Sequence, residues 1–278
     1  GGLKLWMENY GHWGFPAEFL QYGGQADIIS GEFWFRNHLW DLGSIELRGA
    51  ASASHTYGKP ITAAEAFTAG FNFRQSPAAM KSRGDWAFTQ GINHFVLHLS
   101  IHQPWEDRKP GVTAWFGMSY QRHNTWFEQS RSWIDYLRRC HYLLQQGGPT
   151  ADLLYFIGED TPKMTGILDP PPPRGYDFDF VNAEVIQKRL SVRDGLLTLP
   201  EGVPYRLLVL PPLDTMRPEL LAKIGELVRA GAVVVGAPPR RSPSLSGYPG
   251  TDADVKRRAD EIWGPCDGVT VKDHAAGK

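Results

Sequence analysis

Apolar and polar positions alternate along the first half of the chain in short runs that read as strands, each followed by a polar loop and a helical segment. Leu3-Lys4-Leu5-Trp6-Met7 predicts a strand ending at Glu8, followed by a loop at Asn9-Tyr10-Gly11-His12 and a short helix from Pro16 to Tyr22 with proline in its first turn. Ala26 to Glu32 predicts a second strand, with Trp34 just beyond it. The small-residue stretch Ile45 to Tyr57, closed by Gly58, predicts a tightly packed helix. Pro60 to Glu65 predicts a third strand, Pro77 to Gln90 a helix and Asn93 to His98 a fourth strand. From Trp126 to Gln145 the positions Phe127, Trp133, Ile134, Leu137, Tyr142 and Leu144 predict one long amphipathic helix, stopped by Gly147-Gly148-Pro149.

Four strands alternating with helices imply parallel pairing through right-handed crossovers, in half of a (β/α)8 barrel or in an open doubly wound sheet. The strand ends decide between the two. Glu8, Glu32, Glu65 and His98 close the four strands at their C-terminal ends, where barrel enzymes carry catalytic groups. The sequence therefore predicts an α/β protein in which residues 1–147 are the C-terminal half of a (β/α)8 TIM-type barrel.

Beyond Pro149 the pattern changes. Asp152 to Ile157, Tyr205 to Leu210 and Ala232 to Gly236 read as buried strands, Asn182 to Leu190 and Pro218 to Ala230 as helices, and Pro170 to Pro173 as polyproline in a long loop. Residues 148–278 thus predict a small flavodoxin-like or amidotransferase-like parallel α/β domain, and Val269-Thr270-Val271 opens a further strand. The domain has neither a Gly-x-Cys-x-Gly nucleophile elbow nor a GxGxxG loop, so it reads as a structural part or an oligomer contact.

Charge and composition narrow the function. The 29 Lys and Arg and 30 Asp and Glu nearly cancel and form no basic run, which excludes nucleic acid as a partner. No apolar run reaches the roughly 18 residues of a membrane span, and the first residues lack a signal-peptide pattern. Cys140 and Cys266 lie far apart without metal-ligand spacing, so neither a zinc site nor a disulfide framework is indicated. Ten Trp, ten Tyr and 14 Phe exceed what a core of this size needs. Aromatic faces suit the C–H faces of sugar rings, and a large aromatic core accounts for them equally well.

Cleaving a glycosidic bond requires a proton donor for the leaving oxygen and a second carboxylate that attacks or activates water. Glu65, closing the next-to-last strand, is the candidate for the second role; Glu32 reaches the same cavity from the preceding strand, and Glu8 is a candidate substrate contact. A lone glutamate at a strand end is more often a salt bridge, whereas three on consecutive strands favour a site. Trp34 beside Glu32 and Phe67 beside Glu65 read as apolar walls that raise a carboxyl pKa or stack on a sugar. After the last strand, His98, His102, Gln103 and Trp105 offer donors, acceptors and one aromatic face to sugar hydroxyls. The i,i+4 spacing of His98 and His102 suits zinc only on a helix, which Ser100-Ile101 and Pro104 oppose. His55 and Tyr57 either orient the site or merely pack, and Asp85 with Trp86 lies before the fourth strand, where Asp85 is equally a solvent-facing residue.

Asp27-Ile28-Ile29-Ser30-Gly31-Glu32-Phe33-Trp34, Ala51 to Phe67, Gly91 to His98 and His102-Gln103-Pro104-Trp105 together resemble the glycoside hydrolase family 106 α-L-rhamnosidases, over essentially the whole chain. The resemblance implies inverting, calcium-assisted hydrolysis of terminal α-L-rhamnosides in a periplasmic or extracellular protein. It matches Glu65 to the general base and Glu32 to a further essential glutamate, with the general acid on an earlier strand. On this reading the sequence is a piece cut at both ends: alone it would show little hydrolysis, and its open sheet edges would promote association visible by light scattering. Two rivals stand beside it. One is a retaining glycosidase of the β-galactosidase type, with Glu65 as nucleophile and carboxylates roughly 5–5.5 Å apart rather than 6.5–9.5 Å. The other is a non-catalytic carbohydrate-binding or scaffold protein.

Overall fold

The structure, a computed structural model, describes residues 2–9, 17–35, 44–70, 73–264 and 266–267. The chain divides into two compact units, residues 1–15, 22–54 and 59–148 in the first and residues 16–21, 55–58 and 149–278 in the second.

The first unit is built on a four-stranded sheet with the order β1 (Trp6–Glu8), β2 (Ile28–Trp34), β3 (Thr62–Thr68) and β4 (His94–Leu97), every pair parallel. The intervening helices are α1 (Phe19–Gly24), α2 (Ser44–Tyr57) and α3 (Pro77–Thr89), and α4 (Arg131–Leu144) follows β4. Residues 19–21 of α1 and 55–57 of α2 count with the second unit. Helix α3 begins where the sequence places it, with Pro77 in its first turn and the Ser76 hydroxyl accepting the Ala79 N–H.

Several element ends differ from expectation. Strand β1 starts only at Trp6, since Leu3 and Leu5 are exposed, and α1 starts at Phe19; Pro16 and the loop residues Tyr10 to His12 lie outside the described residues. Strands β2 and β3 run past Glu32 and Glu65 to Trp34 and Thr68, so Trp34 is a strand residue. The helix expected from Trp126 begins at Arg131, after a 3-10 turn at Glu128–Ser130.

Strand alternation gives the sheet two chemically different faces. Phe33 and Ala66 are register partners, as are Ala64 and Phe95. These residues bury against Leu47 of α2, Met80 and Ala87 of α3, and Trp133 and Leu137 of α4, forming one core cluster. Helix α2 lies so close to β2 that a Cβ on Gly31 would stand 3.0 Å from the Glu46 carbonyl oxygen, which explains the run of small residues in that helix. The opposite face carries Glu8 beside Ser30, Glu32 beside Glu65, and Val96 beside Glu65.

One extra residue interrupts this alternation. Phe33 pairs with Ala66 and Trp34 with Thr68, leaving Phe67 as a bulge with φ 68°. The bulge turns Phe67 into the core, where its ring lies 5.0 Å from Phe33, 5.6 Å from Phe95 and 5.6 Å from Trp133. Phe67 is therefore no wall of the carboxylate face, as the sequence suggested; it is fully buried on the helix-covered side.

The second unit holds a parallel sheet of β5 (Leu153–Phe156), β6 (Phe178–Val181), a strand at Leu207–Val209 and one at Val234–Val235. Between β6 and the third of these lie α5 (Ala183–Lys188) and a small antiparallel sheet of β7 (Ser191–Arg193), β8 (Leu196–Thr198) and β9 (Pro204–Tyr205). The strands at Leu207–Val209 and Val234–Val235 are then β10 and β11, flanking α6 (Pro218–Arg229), and α7 (Thr251–Trp263) ends the described chain. The sheet order β11-β10-β5-β6 places the second strand on one side of the first and the third on the other, the arrangement of a doubly wound open sheet.

Strand β6 escapes sequence reading because Asp179 stands in its middle. That carboxylate is fully buried, held by the Tyr205 hydroxyl at 2.9 Å and by His55 Nδ1 3.0 Å from both oxygens. Helix α7 escapes it because only Val255 and Ala259 are buried. The strand expected at Val269 to Val271 lies outside the described residues.

Candidate carbohydrate site

Glu32 and Glu65 are direct register partners on adjacent parallel strands, so both carboxylates leave the same face of the sheet at its C-terminal end. Glu8, at the end of β1, pairs with Ser30, two residues before Glu32 and on the same face. Period-two alternation brings the three glutamates together, and it does so without any contact between them in sequence.

Each carboxylate has its own setting. Glu65 accepts a 2.6 Å hydrogen bond from the Thr68 hydroxyl, and His98 Nδ1 lies 3.6 Å from the same oxygen. Thr68 reaches Glu65 only because the Phe67 bulge returns it to that face. Burial holds the His98 imidazole below its usual pKa, and the neighbouring Glu65 charge only partly offsets this, so the ring is neutral at pH 7. Glu32 is nearly inaccessible and accepts a hydrogen bond from the Trp34 indole N–H. Trp34 thus presents a donor to its glutamate, where the sequence reading expected an apolar wall.

Glu8 is pushed up to about 7, first by burial and then by the charges of Glu65 and Glu46. Because the folded chain binds this proton more tightly than the unfolded chain, its contribution is complete below the ordinary value of 4.5 and is lost as pH rises through 7. His141, whose Nε2 accepts the Phe95 amide, carries the opposite slope: burial and His94 lower it to about 4, so stability is lost as pH falls from 6.5 towards 4. Each slope is worth about 2 kcal/mol after allowance for solvent. His94 and His98, also held below their usual values by burial, add to the second slope. Glu8→Gln is expected to remove the first and leave melting of the first unit rising steadily with pH between 4.5 and 7, checked by calorimetry at stepped pH; an unchanged profile would show that Glu8 ionises normally.

The loop after β4 is knit by residues expected to bind sugar. The Gln103 amide donates to the carbonyls of Ile101 and Val112 at 3.1 and 2.6 Å and accepts the Val112 N–H at 2.8 Å. Its hydrogen-bonding capacity is used within the loop, so it is a strut, not a substrate contact. Arg122 donates to the carbonyls of Gln103 and Trp105 at 2.7 and 3.0 Å. His102 is exposed, and Trp105 is 43% exposed with the Arg108 guanidinium 4.2 Å over its ring.

The sequence reading also offered His55 and Tyr57. Both belong to the second unit, where His55 meets Asp179, and the Tyr57 hydroxyl donates to Glu184 at 2.9 Å and accepts from Asn182 at 2.9 Å. Asp85 pairs with Lys81 at 2.6 Å and accepts the Tyr136 hydroxyl, a helix-surface cluster away from the strand ends. Among the described residues no group of three or more His, Cys, Asp or Glu side chains is arranged to hold a metal ion.

Sequence reasoning missed Thr68, Trp115 and Phe116. Thr68 depends on a one-residue bulge that leaves no periodic trace. Phe116 stacks on His98 at 5.3 Å between ring centres, and Trp115 stands edge-on to Phe116 at 4.4 Å, contacts made by a loop whose path the sequence does not disclose.

The chain as a whole is similar to known carbohydrate-active proteins. A Formosa agariphila protein named "Putative beta-glucuronidase" is 38% identical over 265 residues, covering 95% of this chain and 22% of that protein. The structure of a rhamnosidase from Novosphingobium sp. PP1Y superposes with a TM-score of 0.81 at 29% identity, covering 95% of this chain and 26% of that one. The chain therefore spans about a quarter of the length of these relatives. The family profile of glycoside hydrolase family 106, described as alpha-L-rhamnosidase, matches residues 1–278, and the chain belongs to that family.

Proposed function

We propose that the first unit is the C-terminal part of a (β/α)8 barrel in a secreted glycoside hydrolase that removes terminal α-L-rhamnosyl residues with inversion, and that the parallel α/β unit serves as its structural companion. The observation that carries this reading is the pairing of Glu32 with Glu65 on one sheet face, with Glu65 held by Thr68 and flanked by neutral His98. Thr68 keeps the Glu65 oxygen oriented, as a general base requires. Glu65 would take a proton from the water attacking the anomeric carbon, while a third carboxyl, on a strand earlier than these four, protonates the leaving oxygen. Glu32, fixed by Trp34, and Glu8, which keeps a proton near neutrality, would hold sugar hydroxyls.

Proton NMR of the first product from an aryl α-L-rhamnoside, with the complete protein as catalyst, tests the reading. β-Rhamnose appearing first supports an inverting base at Glu65. α-Rhamnose first would instead make Glu65 a nucleophile. The name of the Formosa relative makes an aryl β-glucuronide the necessary second substrate. Turnover of the glucuronide and not the rhamnoside would overturn the sugar assignment while leaving the glycosidase.

A further inference from the structure

We propose that Trp115 is the platform of a leaving-group subsite, stacking a sugar ring one or two residues beyond the bond that is cut. The inference rests on the glycosidase reading and extends it to a residue with no assigned part. A continuous line of contacts leads outward from Glu65. His98 Nδ1 is 3.6 Å from its carboxylate, the Phe116 ring lies parallel to His98 at 5.3 Å and 3°, and the Trp115 ring stands against Phe116 at 4.4 Å and 79°. At the end of this ladder the indole is 76% exposed.

The platform is held rigidly. Gly117 N–H donates to the Ala69 carbonyl at 2.8 Å and Met118 N–H to the His98 carbonyl at 2.9 Å, which ties the segment to the residues following β3 and β4. Gly117 has φ 115°, and a Cβ there would stand 2.7 Å from the Leu99 side chain, so glycine is required for the close approach. The platform's occupant is a saccharide: the indole face complements the C–H face of a pyranose, and the ladder's other end is the carboxylate assigned to glycoside cleavage. Because the rings of His98 and Phe116 stand between Trp115 and Glu65, the contact proposed for Trp115 is with a sugar beyond the one being cleaved.

Kinetics of Trp115→Ala and Trp115→Phe in the complete protein separate this role from a structural one. The substrates are methyl α-L-rhamnoside and an oligosaccharide ending in the same rhamnosyl residue. Trp115→Ala is expected to raise KM for the oligosaccharide about tenfold with kcat within twofold, leave both constants for the methyl glycoside unchanged, and keep the wild-type melting temperature. Trp115→Phe should recover most of the loss. An unchanged oligosaccharide KM, or equal impairment of both substrates, would overturn the subsite while leaving the hydrolase intact. If the wild type cleaves neither rhamnoside, the rhamnosidase reading fails separately, and a fluorescence titration with the uncleaved oligosaccharide decides the subsite. Saturable quenching abolished in Trp115→Ala upholds it, and quenching that persists, or is absent from the wild type, removes it.

Discussion

Glu65→Gln in the complete protein is expected to lower kcat on an aryl rhamnoside by about 10³-fold while KM and melting temperature stay close to wild type. The substitution is nearly isosteric, and the side-chain amide oxygen can still accept the 2.6 Å hydrogen bond from Thr68, so neither the bulge nor the core beneath it is disturbed. What disappears is the ability to take up a proton. Because Glu65 is only half-buried, removal of its charge does not strand a buried partner; His98 is already held neutral by burial. A fall of less than tenfold would move the base elsewhere, and loss of sugar binding together with activity would make Glu65 a substrate anchor. A protein without hydrolysis before the change would favour the carbohydrate-binding alternative.

How much of this site the sequence discloses depends on the range of the physics involved. Period-two alternation is local, so the strands, their parallel order and the common face of Glu8, Glu32 and Glu65 can be read from residues alone. Side-chain destinations set by a distant partner cannot. Gln103 looks like a sugar ligand until Val112, across the loop, takes its amide. His55 looks like a neighbour of Glu65, ten residues away in sequence, until the buried Asp179 claims it in the other unit. Asp179 itself hides β6, because a strand with a buried acid at its centre does not look apolar. Phe67 is no wall, and Trp34 adds an indole donor that the sequence reading did not foresee, for a related reason: an aromatic ring is defined by where its faces and polar atoms point, and composition carries no direction.

Phe67 is where the fold and the site meet, and Phe67→Ala is expected to destabilise the first unit by about 3–5 kcal/mol. Its ring is fully buried and touches Phe33, Phe95 and Trp133 at once, so truncation opens a cavity among side chains from two further strands and α4. The backbone adds a second, separable effect. At φ 68° a residue with a Cβ carries a penalty of roughly 1–2 kcal/mol that packing of the ring offsets in the wild type and that alanine keeps unrelieved. Phe67→Gly removes the same ring without that penalty, so glycine should be no worse than alanine here, the reverse of their usual order within a strand. Chemical denaturation of the two variants measures the difference. Activity should follow for a geometric reason: a loosened bulge frees Thr68 from its place beside Glu65, and kcat is expected to fall about tenfold under conditions where the variants remain folded. Should alanine prove clearly more stable than glycine, the left-handed backbone at Phe67 is not what aims Thr68, and the link between this core residue and the carboxylate it supports is broken.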